Sequence, residues 1–578
     1  MSELQSLSGS GWVRAETVGD LLDSRAEALG SEPALVFPEE RATYQELAAR
    51  ADALARSMLA MGVDRGDRVG ILMPACTELA ALLFAAAKIG AVAVPVNARF
   101  KPVELEHIVK HSGMKVLFTA ETPVNSPLEL LVRTFPELAD VTGGAVELPT
   151  LPELRRVVVS EGAQVPGYAI GVAEAIEMGG AISAEQVRAR QSSVRLRDTM
   201  MLVYTSGTTA APKGAMLSHE AVSRLTTGIV ERLELTRQDN VWTAIPLFHG
   251  GGISFLISTL SAGATFVHPG LFDPATTLPL LIDNRVTVAL AAFETIWLPV
   301  LSRYNPQEHD LTSIRAVMVV GVEERLRQMA EALPWATQVS CVAMTESCAF
   351  LSLHRLDDPF EVRVTTGGHP MPGMEVRVVD PETGEDLPPG AEGELLFRGP
   401  NAFDGYFRDP ELTREVFDEE GWFHSGDVVR RDEDGRITFV SRLKDMLKVG
   451  GENVSAAEVE GLLITHPAVK LAQVVAAPDE YYVEVPAAFI ELKPGQEATE
   501  EELIHFCLGK IATYRVPRYV RFVTEWPMSG TKIKKVDLRA RIAEELKAKG
   551  ITRAPRLDSR AGMVADTGGA GEPQPAAG

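Results

Sequence analysis

The sequence predicts an α/β protein: a large N-terminal domain of stacked βα units, a β-rich subdomain, and a small α+β C-terminal domain. Three observations carry this. The chain has 578 residues, too many for one ordinary core. Apolar strand-like runs alternate with helical periods through its first part, the pattern of mostly parallel sheets covered by helices. From about Gly368 short alternating strands cut by Pro and Gly take over, and after Val454 a smaller mixed stretch runs to about Gly550.

Taken in order, Thr43 to Gly62 places apolar residues at helical spacing between a Thr start and a Gly stop. Asp67 to Pro74, DRVGILMP, reads as a buried strand. The most apolar stretch, ALLFAAAKIGAVAVPV from Ala81 to Val96, is interrupted by Lys88, Gly90 and Pro95. It reads as a buried helix followed by a strand rather than a membrane span. Met201 to Tyr204, Val286 to Ala292 and Ile314 to Gly321 repeat the strand pattern. The segment GGHPMPGMEVRVVDPETGEDLPPGAEGELLFRGP has the texture of antiparallel strands joined by tight turns. The last residues, ending DTGGAGEPQPAAG, have the Gly, Pro and Ala content of a disordered tail.

Charge and cysteine usage narrow the function. With 56 Lys and Arg against 79 Asp and Glu the net charge is −23, which argues against nucleic-acid binding. An anionic substrate then needs a local cluster of positive charge. Cys76, Cys341, Cys348 and Cys507 lack metal-ligand spacing and read as reduced thiols. The opening MSELQSLSGSGWVRAE has no signal-type apolar core, so a cytoplasmic protein without a transmembrane segment is expected.

One loop stands out. After the Met201 to Tyr204 strand, YTSGTTAAPKGAMLSH places Thr205, Ser206, Gly207, Thr208 and Thr209 ahead of Lys213. Glycine lets backbone N–H groups approach a ligand, hydroxyls donate to phosphate oxygens, and lysine adds a mobile charge. The string is not the common P-loop, because Pro212 precedes Lys213 and Gly214 follows it. Composition alone leaves a polyphosphate cradle and a plain polar turn both open.

The loop resembles the phosphate loop of the acyl-adenylate-forming superfamily, which includes acyl-CoA synthetases, firefly-type luciferases and peptide-synthetase adenylation domains. Further motifs follow in that family's order: PLFHGGG with His249, AMTES with Met344, Thr345 and Glu346, and GELLFRGPNAFDGYFRDPELT from Gly393 to Thr413. GWFHSGDVVRRDEDG carries Asp427, SRLKDMLKVGGENVSAAEVE carries Arg442, Lys444, Gly450 and Gly451, and MSGTKIKKVDLR carries Lys532. The match covers roughly residues 20 to 550. It implies an adenylate-forming domain over 1–442, a mobile C-terminal domain over 443–550 and a tail over 551–578.

The implied reaction joins a carboxylic acid to ATP, giving acyl-AMP and pyrophosphate, after which coenzyme A displaces AMP. Two negative groups must meet in the first step, so positive charge has to compensate. The resemblance assigns Lys213 to the β/γ end of ATP, Lys532 to the bridge between carboxylate and α-phosphate, and Glu346 to Mg²⁺. Thr345 would hydrogen-bond the α-phosphate, and Asp427, an acceptor-only group, would meet two ribose hydroxyls with Arg442 in support. His249 would line the acyl entrance, Lys444 would be the pivot, and Gly450 and Gly451 would approach coenzyme A. Arg515, Arg518 and Arg521 are open between contacts to coenzyme A phosphates and a plain basic surface.

Several positions depart from the family pattern. Ala210 stands where the loop usually has Gly, Val342 where an adenine-stacking aromatic is common, and Ala343 where Gly is expected. The adenine-lining segment reads Val320-Gly321-Val322, and Thr531 precedes the catalytic lysine. The apolar Ile253, Phe255 and Leu256 near His249 favour a hydrophobic, fatty-acid-like substrate, although a core role for them stays open. Two alternatives remain: an acyl-AMP ligase that delivers to a carrier protein, and a degenerate nucleotide-binding regulator. The assembly, a homodimer among the options, is left open by the sequence.

Overall fold

Thr43 accepts from the Glu46 backbone while Glu46 reaches back to the Thr43 N–H, and this reciprocal cap starts the helix Tyr44–Ala60. Gly62, in the left-handed region at φ 78°, follows its end. The apolar stretch divides as expected into the helix Thr77–Ile89 and the strand Val92–Pro95. That helix is buried from Leu79 to Ile89, which explains a sequence apolar on all faces. Lys88 is included: its ammonium pairs with Asp23 and Asp52 on the adjacent helices Val18–Leu29 and Tyr44–Ala60.

The computed structural model describes residues 16–98, 100–121, 126–205, 212–321, 323–443, 446–449, 452–529, 532–558 and 562–564. Among these, two seven-stranded sheets form the larger part. One runs Ile170–Gly171, Arg156–Val159, Val116–Thr119, Arg68–Leu72, Val92–Pro95, Thr199–Thr205, Lys213–Ser218. Its neighbours are parallel except the last pair, where Lys213–Ser218 returns antiparallel to Thr199–Thr205. The other runs Thr337–Val339, Ala316–Val320, Val288–Phe293, Asn240–Trp242, Thr265–Val267, Pro33–Val36, Arg41–Thr43. It too is parallel except at its final strand. One hydrophobic core draws side chains from both sheets and from the helices Tyr44–Ala60, Thr77–Ile89, His219–Arg232 and Gly250–Ser261.

The β-rich region predicted from Gly368 is a four-stranded antiparallel sheet in the order Glu375–Val379, Glu392–Arg398, Phe423–Arg431, Ile437–Arg442. Main-chain bonds of Ile437 with Gly367 and Gly368 tie it to the segment leading into the short strand His369–Pro370, which pairs with Ala349–Leu353. Beyond it a five-stranded sheet built on Val469–Asp479 and Val483–Leu492 has its own hydrophobic clusters. The first residues assigned to a tail are folded instead. Ala554 is buried, Pro555 O accepts from Arg518, and Arg556–Asp558 forms a strand. Among the described residues no helix is long and apolar enough to cross a membrane.

Candidate active site

The Ser/Thr/Gly loop joins two paired strands. Thr205 lies opposite Lys213 in the antiparallel ladder, so the chain leaves the sheet and rejoins it at one level. Ser206, Gly207, Thr208 and Thr209 lie outside the described residues, while Thr205 and Lys213 are partly buried.

Lys213 Nζ sits 5.4 Å from the centroid of the Tyr406 ring, within cation–π range. The Tyr406 hydroxyl donates to Glu346 Oε1 at 2.7 Å. A single phenol thus joins the loop lysine to the carboxylate of the AMTES motif. Backbone pairing delivers it there. Asp404 N–H donates to Met216 O, Met216 N–H to Gly405 O, and Phe407 N–H to Gly214 O, so 404–407 lies along the strand that Lys213 opens. Phe403 N–H donates to Glu346 O at 2.9 Å, anchoring the other end. Gly405 has φ 114°, and a Cβ there would come within 2.6 Å of Thr413 Cγ2, so glycine is required. Burial first, then the Glu346 carboxylate, push the Tyr406 phenol well above its ordinary value of 10. It stays a protonated donor at any physiological pH. Sequence reading missed Tyr406; its only signal was its place within the Gly393–Thr413 motif.

Thr345, Glu346 and Ser347 form a single 3₁₀ turn after the strand Cys341–Met344. The chain then passes through positive φ at two non-glycine residues, Cys348 at 60° and Ala349 at 119°. Such backbone persists where surrounding contacts over-determine it. Ser254 Oγ donates to Cys348 O at 3.3 Å, one of those contacts.

His249 is the N-cap residue of the helix Gly250–Ser261, its ring 4.5 Å from that of Phe248. A Cβ on Gly250 would lie 3.8 Å from Ala349 Cβ, so the first helical turn rests on the strained turn after Glu346. A Cβ on Gly252 would fall 2.6 Å from the carbonyl oxygens of both Ile245 and Pro246, which explains that glycine. Ile253, Phe255 and Leu256 are wholly buried core residues, so they say nothing about a substrate channel.

Asp427 and Arg442 face each other across the strands Phe423–Arg431 and Ile437–Arg442, with Arg442 Nε 3.1 Å from Asp427 Oδ1. The aspartate is buried and the arginine half-exposed. Gly426, at φ 67°, turns its N–H onto Glu394 Oε1, and Asp427 N–H bonds Ser425 Oγ. Gly321 is exposed at the carboxyl end of Ala316–Val320. Met344 is partly buried at the end of its own strand. Val342 packs inward beside Gly367 at 5% exposure, while Ala343 is exposed, so an apolar core contact occupies the position where an aromatic is common.

In the C-terminal part, Lys532 pairs with Ser529 in a short antiparallel ladder; its side chain is outside the described residues, as are Lys444, Gly450 and Gly451. The three arginines left open between coenzyme A and plain surface are internal clamps. Arg515 pairs with Glu458, and Arg521 with Glu500 at 3.0 Å and Glu545 at 2.7 Å. Arg518 is 4% exposed, held by Pro555 O. Arg325 on the helix Glu323–Ala332 donates to Lys470 O at 3.0 Å, linking the larger part to the smaller. Among the described residues no group of three or more His, Cys, Asp or Glu could hold a metal ion by itself.

Comparison with known proteins shows the family of the chain. Residues 22–407 match the family model described as AMP-binding enzyme, and residues 458–532 match the AMP-binding enzyme C-terminal domain. YngI of Bacillus subtilis is 32% identical over 91% of this chain and 97% of its own. The mitochondrial medium-chain acyl-CoA ligase ACSF2 of Danio rerio is 31% identical over 92% of this chain and 89% of its own. The crystal structure of the anthranilate CoA ligase AuaEII with anthranoyl-AMP superposes with a TM-score of 0.78 at 28% identity, covering 92% of this chain and 98% of that one.

Proposed function

Because the chain belongs to the AMP-binding enzyme family and is an AMP-forming acid–thiol ligase, we propose that it joins a hydrophobic carboxylic acid to coenzyme A. ATP is consumed through an acyl-AMP intermediate, with AMP and pyrophosphate released. The observation that carries this reading is the Lys213–Tyr406–Glu346 linkage, which sets a cation and an anion on two sides of one buried phenol.

In the first half-reaction the acid's carboxylate attacks the α-phosphorus and the bond to pyrophosphate breaks. Lys213 neutralises the β/γ end, and Lys532 spans the attacking carboxylate and the α-phosphate. Thr345 donates its hydroxyl to the α-phosphate, while Thr205, Ser206, Gly207, Thr208 and Thr209 offer hydroxyls and backbone N–H groups to the other phosphate oxygens. Asp427 accepts from the ribose hydroxyls and is itself held by Arg442; Gly321 and Met344 line the nucleotide. Mg²⁺, when bound, shields phosphate charge. Glu346 would hold it, in keeping with the preference of Mg²⁺ for one or two carboxylates beside phosphates and water. Tyr406 takes one lone pair of Glu346 and leaves the others for the ion.

In the second half-reaction the thiol attacks the acyl carbon and AMP leaves. That path needs Lys532 out of the way. A rotation of residues 443–550 about Lys444 against 1–442 answers the need, bringing Gly450 and Gly451 to the pantetheine arm. His249, with Phe248 against its ring, stands at the acyl entrance. Since its other apolar neighbours are core, the case for a hydrophobic acid rests on Phe248 and on the substrates named for ACSF2 and AuaEII.

A panel of aliphatic, aryl and polycyclic acids assayed for coenzyme A thioesters by mass spectrometry tests the proposal. Thioester formation with medium-chain or aryl acids is expected. Acid-dependent ATP–pyrophosphate exchange without any thioester would favour delivery to a carrier protein. No exchange with any acid, with folded protein and Mg²⁺ present, would favour a regulator, the reading that Val342 in the core motivates. Lys532→Ala is expected to abolish exchange while sparing thioester formation from supplied acyl-AMP.

A further inference from the structure

The helix Pro102–Ser112 carries two histidines one turn apart, and both reach out of the helix to the stems of the Ser/Thr/Gly loop. His107 Nε2 lies 2.8 Å from Pro212 O. A carbonyl can only accept, so Nε2 carries the proton and donates it. His111 Nδ1 lies 2.8 Å from the Tyr204 hydroxyl. Tyr204 sits on the outgoing strand, and Pro212 immediately precedes Lys213 on the returning one. The two rings stack at 5.1 Å and 19°, and Phe407 closes the cluster edge-on to His111 at 5.9 Å. Phe407 N–H also donates to Gly214 O, the residue after Lys213.

We propose that His107 is a positioning residue for ATP: by holding Pro212 O it fixes the direction in which Lys213 enters the site, with stacked His111 steadying the opposite stem through Tyr204. Proline has no N–H and cannot donate to the strand ladder, so the residue that leads into Lys213 has only its carbonyl with which to be fixed. A donor from a separate helix supplies the constraint from the carbonyl side. The two histidines bond to the two flanks of one loop, His107 to the returning stem and His111 to the outgoing one.

The inference rests on the reading that Lys213 faces the β/γ phosphates, so the test separates the two. The full-length protein is assayed in both half-reactions: ATP–pyrophosphate exchange, and thioester formation from supplied acyl-AMP, which involves no pyrophosphate. His107→Leu and His107→Asn remove the donor or shorten it out of reach. Each is expected to raise the KM for ATP about five- to tenfold, as for one neutral hydrogen bond, with kcat and the second half-reaction little changed. His107→Gln, whose amide places a donor near the imidazole Nε2, is expected to recover most of the wild-type KM. Lys213→Ala is run in parallel. If it leaves exchange intact, the reading of the loop is wrong. If Lys213→Ala loses exchange while His107→Leu and His107→Asn do not raise the KM, the positioning role is overturned. It is overturned equally by a uniform loss in both half-reactions, or by a Gln variant as impaired as Leu.

Discussion

The hydroxyl of Tyr406 is the smallest group on which the proposed chemistry depends. Hydrogen bonds to charged partners contribute about 1.5–3 kcal/mol, so Tyr406→Phe is expected to slow ATP–pyrophosphate exchange roughly ten- to hundredfold and to raise the Mg²⁺ concentration needed for half-maximal rate. The ring under Lys213 is preserved in that variant, so an unchanged Mg²⁺ titration would show that Glu346 does not need the phenol. At Asp427 the partner arginine is half-exposed and water can take over its hydrogen bonding. Asp427→Ala should therefore cost little stability, within about 1 kcal/mol, while weakening ATP binding; a thermal midpoint and a nucleotide titration on one preparation check both halves. Lys213, Asp427 and Arg442 could be singled out in the sequence as candidates because residue type and motif order suffice to suspect a phosphate or ribose contact. Tyr406 was not, because its role exists only once the 404–407 segment has docked on the Lys213 strand.

Two helices, Thr77–Ile89 and Gly250–Ser261, are buried on nearly every face. Their sequences announced burial but not position. Gly252 lets the first turn of the second helix close onto the Ile245 and Pro246 carbonyls, next to its N-cap residue His249. Gly252→Ala puts a Cβ 2.6 Å from two carbonyl oxygens, and main chain cannot yield as a flexible side chain can. Overpacking of this kind costs about 1–3 kcal/mol. A lowered thermal midpoint is expected together with reduced thioester formation, and an unaltered midpoint would mean that the helix start is looser than its contacts imply. Lys88, read in the sequence as an interruption, instead ties three helices together through Asp23 and Asp52.

Among the described residues, burial lowers five histidines below their ordinary value, three of them far. Burial dominates in each, taking His219, His268 and His354 down to about 4 from 6.5. His268 shows how a neutral ring is satisfied: Nε2 donates to Ile245 O at 3.2 Å and Nδ1 accepts from Gly270 N–H at 3.0 Å. Because these pKa values are depressed in the fold, the unfolded chain binds more protons. Stability is therefore complete above about pH 6.5 and is lost as pH falls toward 4, by about 3 kcal/mol for each of these three at the limit. Calorimetry in a pH series should show the thermal midpoint dropping through that window, with net proton uptake on unfolding near pH 5. A flat profile from pH 7 to 5 would contradict the burial of these rings as neutral groups.

Local pattern determined a good deal: the helix from Thr43, the helix-then-strand division at Ala81 to Val96, the change to antiparallel sheet after Gly368, and an ordered set of motifs specific enough to identify the family. These are statements about periodicity, caps and residue type, which neighbouring residues settle among themselves. Tertiary structure alone decided that Arg515, Arg518 and Arg521 are spent on internal partners, that Ile253, Phe255 and Leu256 are core, and that the chain from Ile551 to Asp558 is folded. It also decided that Tyr406 and His107 meet the loop strand. The physical reason is the same throughout: a side chain's partner is set by which distant strands and helices pack together, and that distance in sequence leaves no mark on the residues themselves.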